Sequence, residues 1–209
     1  MDLDPTALSQ SRRYRLLISL VVPRPIAFVS TRATSGAYNL APFSFFMGVA
    51  SDPMLLALSV STRSGEPKDT ARNILETGEF VVNAATEDLA QAINHASGDW
   101  PADIDEFALT GLTPAPSTRI AAPRVAEAAF ALECRTHVVV PLGNAPHDTR
   151  LIVGEVVWIH LREDVLEDAG ADPAGILVDA ERLQPIARLG KNLYSKLGER
   201  FALDRPRGS

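Results

Sequence analysis

Between Arg24 and Asn73 the chain gathers the hydroxyls of Ser30, Thr31, Ser44, Ser59 and Ser61 and the carboxamide of Asn39, followed by Lys68-Asp69-Thr70. The first group falls on or beside three predicted strands, and the triplet opens a predicted helix. Hydroxyls, a carboxamide, one ammonium and the free N–H groups of a helix start suit a phosphate carried on a flexible polyol chain. Lys68 sharpens this reading, because a cation at a helix N-terminus opposes the helix dipole. An anion seated between the two removes the conflict. Taken singly, each serine also fits a solvated strand edge and Lys68 a solvated helix start; Arg63 and Arg72 are near enough in sequence to add charge.

Other chemistry finds less support. There is no GxGxxG after a strand, no GxxxxGK[ST] and no GxSxG, so the common dinucleotide, nucleotide-phosphate and hydrolase motifs are missing. His95, His137, His147 and His160 fall in separate predicted elements without HExxH or paired-Cys spacing, so no metal site is expected. Cys134, the single cysteine, is expected to be a buried, inert thiol in a reducing compartment.

Positioning these groups requires a scaffold, and 209 residues with 46% hydrophobic content supply one core; one domain over residues 1–209 is expected. Lys+Arg 20 against Asp+Glu 26 leaves a net charge of −6, which gives no general reason to bind nucleic acid or anionic lipid. Any phosphate must be met locally. The longest apolar run, Leu16 to Val22, is interrupted by Ser19 and closed by Pro23, far short of the roughly 20 residues that span a bilayer. With an acidic start, Met1-Asp2-Leu3-Asp4-Pro5, the chain reads as cytoplasmic.

The spacing predicts a helix over Leu8 to Val22 with a basic patch at Arg12, Arg13 and Arg15. A strand over Pro25 to Thr31 and a hairpin partner over Tyr38 to Phe46 follow, the partner marked as an edge or bulged strand by Pro42. Further strands are predicted at Met54 to Ser61 and Glu79 to Ala84, and helices at Asp69 to Thr77, stopped by Gly78, and at Glu87 to Ala96, capped by Thr86. Gly98 to Pro123 reads as a Pro-rich, largely irregular stretch. In Leu132 to Val140 the alternation points Leu132, Cys134, Thr136, Val138 and Val140 inward and Glu133, Arg135 and His137 outward; Arg150 to Leu161 is apolar on both faces, as in a central strand. Many strands with few helices favour a mainly β, antiparallel barrel over a doubly wound sheet.

Several strings are specific. Pro23-Arg24-Pro25-Ile26-Ala27-Phe28-Val29-Ser30-Thr31, Asn39-Leu40-Ala41-Pro42-Phe43-Ser44-Phe45-Phe46 and Lys68-Asp69-Thr70 with Asn73-Ile74 resemble the flavin reductase-like family, the FMN-binding split β-barrels of Greek-key type that include flavoredoxin. Gly78-Glu79-Phe80-Val81-Val82-Asn83, Leu132-Glu133-Cys134, Gly154-Glu155-Val156 and Arg188-Leu189-Gly190 followed by Tyr194 extend the resemblance over roughly residues 15 to 195.

The resemblance implies FMN as cofactor, with Val29, Ser30 and Thr31 along the isoalloxazine edge. Asn39, Ala41, Phe43 and Ser44 would hold the ring and ribityl chain, and Ser61, Lys68 and Thr70 the phosphate. No side chain need be catalytic, since the flavin carries the chemistry. The implied reaction is NAD(P)H-dependent reduction of flavin or another small acceptor, in a homodimer. The alternative implied by the same family is a flavoredoxin-like electron carrier that works with a redox protein partner and makes no direct use of NAD(P)H; a barrel without FMN is a third reading. Two positions depart from the family pattern: His147-Asp148 stands where some members carry Asp-His, and Gly190-Lys191 where some carry Gly-Gly.

Overall fold

The computed structural model describes residues 1–63, 65–101, 103–167 and 177–206. Ser9 caps helix α1 (Gln10–Leu20), its hydroxyl accepting from Arg12 N–H. The two-residue strand β1 (Arg24–Pro25) leads into β2 (Ala27–Arg32) and β3 (Tyr38–Phe43), which pair as the predicted hairpin. Pro42 sits in β3, an edge strand paired only with β2, where its missing N–H is tolerated. The expected single run to Phe46 instead breaks at Ser44-Phe45, and β4 (Phe46–Ser51) turns away to pair with β5 (Met54–Ser61).

That break shapes the molecule. With β6 (Glu79–Asn83), β9 (Phe130–Leu142) and β10 (Thr149–Leu161), these strands form a seven-stranded antiparallel sheet in the order β3-β2-β6-β9-β10-β5-β4. Laid flat, its edges β3 and β4 would stand about 29 Å apart at roughly 4.8 Å per strand. Yet β3 and β4 are consecutive in the chain, and the step from Phe43 to Phe46 reaches at most about 11 Å. The sheet therefore curls until its edges nearly meet, and they remain unpaired: a split barrel, mainly β, open along the β3–β4 seam.

Helix α2 (Asp69–Thr77) crosses from β5 to β6 and ends, as expected, at Gly78 in the left-handed conformation (φ 72°). Its buried Ala71 and Ile74 join Ala27, Val29, Phe43, Leu58, Phe80 and Cys134 in the barrel core. The next residues along β2 and β3, Phe28 and Leu40, point the other way into a second core with Ile93 of helix α3 (Ala90–Ala96) and Phe107 of helix α4 (Glu106–Thr110). β2 is thus buried on both faces. The two-residue pairs β7 (Pro114–Ala115) with β8 (Arg124–Val125), and β11 (Ala187–Arg188) with β1 and β12 (Tyr194–Ser195), fasten the outer segments. Helix α5 (Ala180–Leu183) precedes β11.

The Gly98 to Pro123 stretch is largely irregular, as expected, with one short helix in which Asp105 accepts from Phe107 N–H and Gly111 closes α4 at φ 72°. Two expectations need correction. Thr86 does not cap a helix from Glu87; its hydroxyl bonds Asp88 at 2.5 Å, and α3 starts at Ala90. On β9 the alternation holds for Leu132 and Cys134, which pack on the barrel core, and for the exposed Arg135 and His137, but Glu133 is fully buried while Val138 and Val140 are 43% and 36% exposed, against expectation. Irregularities against β10 at Val153/Gly154 and Val156/Trp158 break the two-residue period. Residues 118–119 also cover the face where Glu133 emerges.

Candidate functional site

The unpaired seam is where the sequence-predicted polar groups collect. A cleft of about 420 Å³ is lined from β3 and the break by Pro42, Phe43, Ser44 and Phe45, and from β5 by Ser59 and Ser61. Lys68 lines it as well. A smaller hollow of about 50 Å³ shares Pro42, Phe43 and Lys68 with the cleft and adds Asn39, Ala41 and Thr70.

Local chemistry explains why Lys68 stands here. It is the N-cap residue of α2 yet makes no side-chain cap bond, so the first-turn N–H groups of the helix are left uncapped. Burial pushes its ammonium below the ordinary lysine range, and the Arg63 guanidinium pushes in the same direction. No carboxylate pairs with it among the described residues, whereas the arginines nearby are taken. Arg63 pairs with Asp99 at 2.7 Å, and Arg72 with Asp69 at 2.6 Å while also donating to Pro67 C=O. A half-desolvated, unpaired cation beside uncapped helix amides is a site for an anion.

The neighbouring polar groups hold the frame. Asn39 Nδ2 donates to Thr70 Oγ1 at 2.8 Å and to Thr31 Oγ1 at 3.3 Å, and Asn73 Nδ2 donates to Thr31 at 2.9 Å, so α2 is bolted to β2 and β3. Ser44 accepts from Arg24 Nε, and Arg24 also donates to the carbonyls of Ile18, Val21 and Leu189, tying the seam to α1 and β11. Ser59 and Thr149 share a 2.7 Å bond across β5 and β10. Ser61 is exposed at the cleft wall and has no side-chain partner among the described residues.

Of the predicted site residues, Asn39, Ala41, Phe43, Ser44, Ser61, Lys68 and Thr70 line the cleft or its hollow. Val29, Ser30 and Thr31 do not. Val29 packs in the barrel core, Thr31 is held by Asn39 and Asn73, and Ser30 turns to the opposite face, where it donates to Pro123 C=O at 2.5 Å and accepts from Asn83. His147, singled out in sequence for its reversed pairing with Asp148, also lies on the cleft wall; sequence reasoning missed Gln10, Tyr14, Thr62 and Thr149 there and Trp100 and Glu106 at the hollow. Thr149 directly precedes the strand read from sequence at Arg150 to Leu161, but only the register of β10 sets it opposite Ser61. Tyr14 had no usable signal, because α1 buries no residue that would fix its orientation.

Electrostatics differ around the rim. Burial raises the Glu106 carboxyl, against the N–H donated by Leu40. Asp148 is held below the usual carboxylate range, chiefly by Arg150 at 2.7 Å.

A family model for the flavin reductase like domain matches residues 19–184. The chain belongs to that family. It is similar to an uncharacterised protein of Halalkalibacterium halodurans, 41% identical over 99% of this chain and 97% of the relative. Among solved structures, it is 38% identical to nitrilotriacetate monooxygenase component B from Bacillus cereus, with a TM-score of 0.91 over 97% of this chain and 98% of that one. It is 30% identical to the 2-nitrobenzoate 2-nitroreductase of Pseudomonas fluorescens, with a TM-score of 0.86 over 99% and 96%. The flavin reductase-like barrel places this protein among flavin-related oxidoreductases, and no helix among the described residues is long and apolar enough to cross a membrane.

Proposed function

We propose that the chain is a single-domain flavoprotein that binds FMN in the seam cleft and passes electrons from NAD(P)H to free flavin or another small acceptor. The observation that carries this reading is Lys68: a half-buried, unpaired ammonium beside uncapped helix amides, in a cleft walled by hydroxyls and by Phe43 and Phe45. These residues suit the cofactor's chemistry. Lys68 and the α2 start would hold the phosphate, Ser44 and Ser61 the polyol chain, and the two phenylalanines an apolar ring edge. When bound, FMN supplies hydride acceptance and delivery. The chain's own residues bind, orient and exclude water. A donor that docks on the cofactor itself needs no Rossmann motif, which accords with the missing GxGxxG. Two solved relatives above 25% identity, a monooxygenase component and a nitroreductase, support a redox role.

Exposed apolar residues on the open sheet, Met47 at 60%, Val49 at 50%, Met54 at 45% and Leu142 at 44%, support a homodimer. We place the protein in the cytoplasm. The second reading, a flavoredoxin-like carrier serving a redox protein partner, draws on His147 at the cleft wall, in the reversed His147-Asp148 order. Anaerobic mixing of the FMN-loaded protein with NADH and with NADPH separates the two. Bleaching of the flavin band near 450 nm supports the reductase. A band that persists with both donors but bleaches with a ferredoxin-type donor supports the carrier.

A further inference from the structure

The basic patch of α1 has no part in the cleft chemistry described above, and the fold gives it a setting. Residues 5–51 contain five arginines and no Asp or Glu, in a chain of net charge −6. α1 lies against the β11–β12 turn, and the two form a shelf of about 790 Å³ with Leu16 and Ile18 in its lining and Arg12, Arg15 and Lys191 as its cations. Tyr14 lines both this shelf and the seam cleft, so the two are contiguous. Arg12, Arg15 and Lys191 have no side-chain hydrogen bond or ion pair among the described residues, whereas Arg13 is spent on the carbonyls of Pro5 and Leu8. No carboxylate among the described residues lines the shelf.

Lys191 adds an independent observation. Its backbone is left-handed, φ 58°, at the turn closed by Leu193 N–H to Gly190 C=O. Glycine adopts that conformation freely and lysine does not. A strained lysine that presents an unpaired charge to a concave surface points to a ligand rather than to the turn itself.

We infer that this shelf binds the phosphates of the nicotinamide dinucleotide donor, leaving its nicotinamide end free to enter the cleft past Tyr14. The inference rests on the NAD(P)H reading above. Three cations on an apolar floor suit a pyrophosphate or a ribose phosphate beside an adenine, and the acidic remainder of the surface leaves this the favoured approach for a polyanion.

Calorimetric titration with ADP-ribose and 2′-phospho-ADP-ribose, which carry no redox group, tests it on the FMN-loaded protein at low salt. The wild-type chain is expected to bind. Lys191→Gly should weaken binding roughly fivefold to tenfold, with an unchanged or higher melting temperature because the strain is relieved; the double variant Arg12→Gln, Arg15→Gln should weaken it roughly tenfold or more. A loss for both fragments assigns the shelf to the pyrophosphate, and a loss confined to the phosphorylated fragment assigns it to the 2′-phosphate. Fragments that fail to bind, or that bind all three proteins equally, overturn the proposal. FMN titration in parallel keeps the two readings apart: no FMN binding sinks the flavin reading itself, whereas FMN binding with fragments indifferent to these substitutions sinks the shelf alone.

Discussion

The two faces of the sheet hold two polar clusters of similar composition and opposite finish. On the outer face, the fully buried Glu133 accepts N–H groups from Thr118 at 2.6 Å and Arg119 at 2.7 Å, with His160 Nε2 2.6 Å away. Beside it, Asn83 donates to Phe28 C=O and Ser30 and accepts from Val125 N–H. Glu133 and Asn83 are thus answered from within the chain, although Arg124 Nε, which lines a hollow with His160, is buried without a hydrogen-bond partner among the described residues. At the seam, Lys68 is also drawn out of water but, among the described residues, has no carboxylate partner, and Ser61 has no side-chain partner. Residue type does not separate a structural cluster from a binding one; at the seam the difference is a half-buried ammonium beside uncapped helix amides.

The contrast can be broken, and the largest effect is expected on the closed side. Glu133→Ala strips two part-buried backbone N–H groups and His160 of their fully buried acceptor and should cost roughly 2–4 kcal/mol of stability, read as a lowered melting temperature, with FMN affinity of the folded protein unchanged. Burial opposes the Glu133 charge, but the N–H donors and His160 outweigh it and hold the carboxyl below its ordinary value. Its contribution is therefore full above the unfolded carboxyl range and fades as pH falls through its lower native value, so wild type should lose stability in acid more steeply than Glu133→Gln.

On the open side, Lys68→Ala should weaken FMN by roughly 1.5–3 kcal/mol, or about 10- to 100-fold in a fluorescence titration, with little change in melting temperature. Ser30→Ala probes the boundary, because the resemblance assigned Ser30 to the flavin while its hydroxyl bonds Pro123 and Asn83. It should cost about 1–2 kcal/mol in stability and leave FMN affinity intact; loss of affinity without loss of stability would erase the distinction. The smallest effect is titration of Lys68 itself. Because burial lowers its pKa, the ammonium loses its proton earlier than an ordinary lysine as pH rises. FMN affinity should decline on that alkaline limb, and the Lys68→Ala protein should show no such limb.

Much of the seam was legible because its signals are local. Pro42 marked an edge, Gly78 a helix end, and the lysine at a helix start opposed the dipole whatever the tertiary structure. The outer cluster was not legible. Glu133 is buried by a segment more than ten residues away in sequence, and the β9 alternation fails where irregular pairing with β10 interrupts it, which the β9 residues alone do not encode. Ser30 illustrates the limit of a motif: the string located the strand, but its side chain's direction depends on Asn83 and Pro123 across the sheet. Tyr14 is a further case, reaching the cleft from a helix with no buried residue to fix its face.

The central claim is that the seam holds FMN, and the visible spectrum of the purified protein, taken after incubation with FMN and removal of free cofactor by gel filtration, tests it most directly. A yellow protein with about one FMN per chain and a flavin band altered from that of free FMN is expected. A protein that remains colourless, or a Lys68→Ala protein that retains FMN as fully as wild type at limiting concentration, would contradict it.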